Sequence, residues 1–69
     1  MQHCTEELIA LVESKGYSLI LEKGEVATGE WGFCFSVSGG AAGVYILSAE
    51  TDLTIAIYTA YEEAKQRFL

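Results

Sequence analysis

One imidazole, two thiols and ten carboxylates are the groups through which this 69-residue chain could do chemistry. Cys34 with His3 would make a thiolate and its general base, the pair that turns sulfur into a nucleophile. Such a pair needs a third residue to orient the imidazole, and the sequence offers none. Cys34 also lies between Phe33 and Phe35, where a thiol more often serves as a small hydrophobe, and His3 falls in a terminus prone to fraying. His3 and Cys4 are adjacent and could supply two zinc ligands, but a structural site takes four and no second Cys/His pair exists. Glu62 and Glu63 are neighbours, so on a helix they point about 100° apart and are poorly placed for joint acid–base work. Gly39, Gly40 and Gly43 have the composition of a phosphate cradle, yet such loops lead from a strand into a helix N-terminus. Here the next segment, Val44 to Leu47, reads as a strand, and a hairpin reversal is expected instead. The sequence therefore predicts no enzyme, no catalytic residue, no cofactor and no metal.

Composition narrows the partners. Ten acids against four bases give a formal charge of −6, so the chain's field repels phosphate backbones and anionic lipid headgroups alike. Nucleic acid and membrane surfaces are not expected partners; another protein, or a second copy, is. Apolar residues make up 51% of the chain, too many for disorder, in runs too short to cross a bilayer. The N-terminus lacks the order of a secretory signal, so a cytoplasmic location is expected, with Cys4 and Cys34 reduced rather than bridged. A single domain over residues 1–69 has little core to spare, and self-association often supplements such small folds.

These groups must be positioned by a few short elements. Leu8, Leu11, Val12 and Lys15 recur at helical spacing, with Thr5 as a cap, Glu6 and Glu7 near the positive end of the dipole, and Lys15-Gly16-Tyr17 as the stop. This predicts a helix over about residues 5 to 15. Residues 17 to 22 alternate as a strand, Lys23-Gly24 reads as a turn, and the stretch to Glu30 reads as a loop with a brief edge pairing near Val26. From Trp31 the alternation is plain: Trp31, Phe33, Phe35 and Val37 share one face of a strand over residues 31 to 38, and Gly32, Cys34 and Ser36 share the other. A third strand follows over residues 44 to 47. Leu53, Ile57, Ala60, Tyr61, Ala64 and Phe68 form a helical stripe over about residues 52 to 68, capped by Thr51 with Asp52, although the β-branched residues of 54 to 59 would also suit a strand.

The fold class this predicts is α+β, a two-layer α-β-β-β-α arrangement in which both helices cover one face of a three-stranded antiparallel sheet. Trp31, Phe33 and Phe35 should meet Leu8, Leu11, Leu53, Ile57 and Tyr61 in the core. The double-stranded RNA-binding domain has the same element order, but it grips phosphates with lysines and arginines. Here the second helix begins beside Glu50 and Asp52, and the bases are only Lys15, Lys23, Lys65 and Arg67, so the likeness is one of topology alone. The other sheet face should stay uncovered. Ser18, Ile20, Gly32, Cys34 and Ser36 on that face, with Ile55 and Tyr58 off the stripe of the second helix, are the candidate interaction surface. The expected function is a non-enzymatic protein-interaction domain that forms a homodimer through this face. The alternatives are an acidic inhibitor that mimics nucleic acid and a small thiol enzyme using Cys34.

Overall fold

The computed structural model describes residues 2–39 and 43–68, with side chains described from Thr5 onward. Helix α1 spans Gln2–Ser14, strands β1, β2 and β3 span Ser18–Ala27, Glu30–Gly39 and Gly43–Glu50, and helix α2 spans Leu53–Phe68. The strands lie in the order β1-β2-β3, both pairings antiparallel. This is the expected α+β order, and the β-branched stretch 54–59 is helical.

Helix α1 starts earlier than its sequence signals suggest, so Thr5 lies inside it and Glu6 and Glu7 fall beyond its first turn. Its end follows the predicted chemistry. Gly16 takes a positive φ of 85°, its N–H donates to the Glu13 carbonyl, and the Tyr17 N–H donates back to Val12. That pair of bonds satisfies carbonyls a helix end would otherwise leave open and turns the chain into β1. At α2 the Asp52 carboxylate accepts the Ile55 N–H at 3.0 Å, capping the first turn as expected, and Lys65 and Arg67 occupy the last turn.

Leu8 and Val12 from α1, Phe35 and Val37 from β2, Leu47 from β3, and Ala56, Ala60 and Ala64 from α2 form the buried core. The three alanines fall at i, i+4, i+8, and their small side chains let α2 lie close on the sheet. Ala56 was not part of the predicted stripe, and Leu53, which was, is exposed in the opening turn. Leu11, Phe33, Ile57 and Tyr61 pack partly buried around the core. The Tyr61 hydroxyl donates to Glu7 at 2.5 Å and ties the two helices together.

Strand β3 carries a bulge that alternation alone does not announce. Val37 pairs with Tyr45 and Phe35 with Ser48, so three residues of β3 span what two residues of β2 span. Leu47 and Ser48 are consequently both turned inward and both buried. The Ser48 hydroxyl is made compatible with that position by donating to the Ala56 carbonyl at 2.8 Å. Ser48→Ala should cost about 1 kcal/mol, read as a lower urea midpoint at unchanged m-value; an unchanged midpoint would deny the bond a role in holding α2 to β3.

Two expectations need correction. Lys23-Gly24 is not a turn, because β1 runs on to Ala27 and the reversal comes at Thr28-Gly29. The Glu25 carboxylate accepts the Gly29 N–H at 2.8 Å and closes that turn. Strand β3 ends opposite Phe33, so residues 24–32 form a two-stranded arm beyond both helices and the third strand. Trp31 sits on this arm and is 74% exposed. It shares a face with Phe35, but the helices do not extend far enough to cover it.

Candidate interaction surface

Register assigns every residue of the uncovered sheet face. In rows across the sheet it presents Ser18, Ser38 and Val44; then Ile20, Ser36 and Ile46; then Glu22, Cys34 and Ala49; and on the two-stranded arm Gly24 beside Gly32. The central strand contributes only glycine, a thiol and hydroxyls. The flanking strands contribute Ile20 on one side and Val44 and Ile46 on the other, these last two 65% and 64% exposed. The face is thus a shallow trough with a floor of small side chains and aliphatic ridges. Glu22 is the one charged residue of its three-stranded rows, with Glu30 at the tip of the arm on the same side, whereas ten acids occur in the chain as a whole.

Of the predicted surface residues, Ser18 and Ile20 are exposed, Cys34 is partly exposed, and Gly32 and Ser36 are buried. Ser36 lies between the two isoleucines and keeps only 5% of its surface. Gly32 is covered because the chain leaving β3 crosses it. A Cβ there would lie 2.3 Å from the Glu50 carbonyl oxygen and 2.8 Å from the Thr51 Cα. Val44 and Ile46, which the sequence marked only as one side of a strand, are the most prominent apolar groups of the face.

Ile55 and Tyr58 are exposed, but they do not adjoin this face. At about 100° per residue they point away from the Ala56, Ala60 and Ala64 stripe that contacts the sheet, so α2 and the sheet separate them from the trough. The predicted single surface therefore divides into two on opposite sides of the molecule.

The candidate chemical groups stay apart. Cys34 is a free thiol whose cross-strand neighbours are Glu22 and Ala49; the side chains of His3 and Cys4 lie outside the described residues, as does Gly40. Gly39 and Gly43 pair with each other where β2 meets β3, in a hairpin rather than a strand-to-helix loop. Among the described residues no group of three His, Cys, Asp or Glu side chains could hold a metal ion, and no helix is long and apolar enough to cross a membrane. Glu62 pairs with Lys65 at 2.9 Å and Glu63 with Arg67 at 2.7 Å, each acid engaged with its own cation. The hydrogen bond that the Lys65 ammonium donates to Glu62 raises the Lys65 pKa above its ordinary value.

Shallow hollows open on the surface among the described residues. One, of about 320 Å³, is lined by Glu22, Lys23, Gly24, Glu25, Val26 and Cys34. Another, of about 420 Å³, is lined by Tyr17, Tyr45, Arg67 and Phe68; its guanidinium stacks 5.0 Å over the Tyr45 ring and is held by Glu63. The first sets the Cys34 thiol among the carboxylates of Glu22 and Glu25, with no imidazole in its lining. No family model, curated protein or solved structure matches this chain.

Proposed function

We propose that this chain is a protein-interaction domain without enzymatic activity, and that its partner on the open sheet face is a second copy of itself. The observation that carries the reading is the shape and charge of that face. Ridges at Val44 and Ile46 stand beside a floor of Ser36, Ser38 and Cys34, so a two-fold rotation lets each copy set its ridge into the other's trough, the self-complementary arrangement a symmetric dimer requires. Charge supports the same pairing. Glu6, Glu7, Glu13, Glu62 and Glu63 lie on the helices, behind the sheet. Stacked sheets lie about 10 Å apart, so the two helix layers are separated by more than the ~8 Å screening length at physiological salt.

The contact is small. Strand spacing and rise make the three-stranded part of the face roughly 14 Å by 20 Å, against the ~800 Å² per partner of a standard stable interface. A patch this modest fits a weak pair, and the dissociation constant is expected on the order of 10 μM or above. The acidic-inhibitor alternative needs its carboxylates gathered on one face, whereas five lie on the helices, Glu25 and Glu30 on the arm, Glu22 on the open face, and Glu50 and Asp52 where β3 leads into α2. The thiol-enzyme alternative pairs Cys34 with an imidazole, and the residues in register with it are Glu22 and Ala49.

Cys34 provides the test, because it lies on the floor of the trough. Its alkylation rate by a small maleimide should fall severalfold as the protein concentration rises through the micromolar range, and should recover on dilution. A rate independent of concentration would count against pairing through this face.

A further inference from the structure

We draw no further inference here: the strongest candidate, the exposed patch of Leu21 and Trp31 on the helix side of the β1–β2 ladder, carries nothing, because Lys23 and Glu25 on the same face favour neither sign of charge in an occupant and nothing in the structure shows what covers it.

Discussion

Replacing Ile46 with glutamate leaves a folded chain that no longer pairs. Ile46 is 64% exposed in the single chain, so the fold of one copy should change by no more than about 0.5 kcal/mol. In the stacked arrangement the same side chain enters the partner's trough, where Ser36, Ser38 and Cys34 carry no cation to meet a carboxylate. Burying an unpaired charge costs several kcal/mol, and the dissociation constant should rise at least about a hundredfold. Sedimentation of the variant beside the parent, with urea unfolding of both, separates the two effects. Undiminished self-association would remove the trough from the interface.

Gly32→Ala should be the most damaging small substitution on the sheet. Its Cβ would meet the Glu50 carbonyl oxygen, the Glu50 carbonyl carbon and the Thr51 Cα, all at 2.8 Å or less. These are backbone atoms at the link between β3 and α2, so relief requires moving that link and, with it, the capped start of α2 and the Ser48 to Ala56 bond. Overpacking against backbone is expected to cost about 3 kcal/mol, a large share of the roughly 3–10 kcal/mol available to a chain of this length. Gly24, its register partner, has open space where a Cβ would go, and Gly24→Ala should shift the urea midpoint little. Equal stabilities for the two variants would contradict the close crossing over Gly32.

These contrasts show what was legible in the residues and what was not. Alternation through Phe33, Phe35 and Val37 identified the middle strand and its inward face because that face is packed under helices. Alternation reports a face, however, and not how far the cover extends, so Trp31 carried the same signal as Phe35 while lying beyond the helices. The arm has the sequence character of a loop for a related reason. Residues such as Lys23, Glu25 and Ala27 are exposed, and a strand with little to bury leaves no apolar period to read.

The bulge beside Leu47 was hidden because inverting the parity of one strand leaves no mark in composition. For the candidate surface, the sequence placed Ile20, Cys34 and Ser36 on the correct side of the sheet. Whether each is reachable depends on neighbours from other strands, which is why Ser36, flanked in its row by Ile20 and Ile46, keeps little of its surface and Gly32 is covered by the exit of β3. Ile55 and Tyr58 were correctly read as lying off the buried stripe; only three-dimensional placement separates them from the trough.

Sedimentation equilibrium of the parent chain from about 1 μM to about 1 mM, a range that brackets the expected dissociation constant, tests the central claim most directly. The account predicts a weight-average mass that climbs from the 7.5 kDa of one chain toward twice that value and levels off there, as a closed two-fold pair must. A mass that stays at 7.5 kDa throughout, or one that grows past two copies without a plateau, would contradict it.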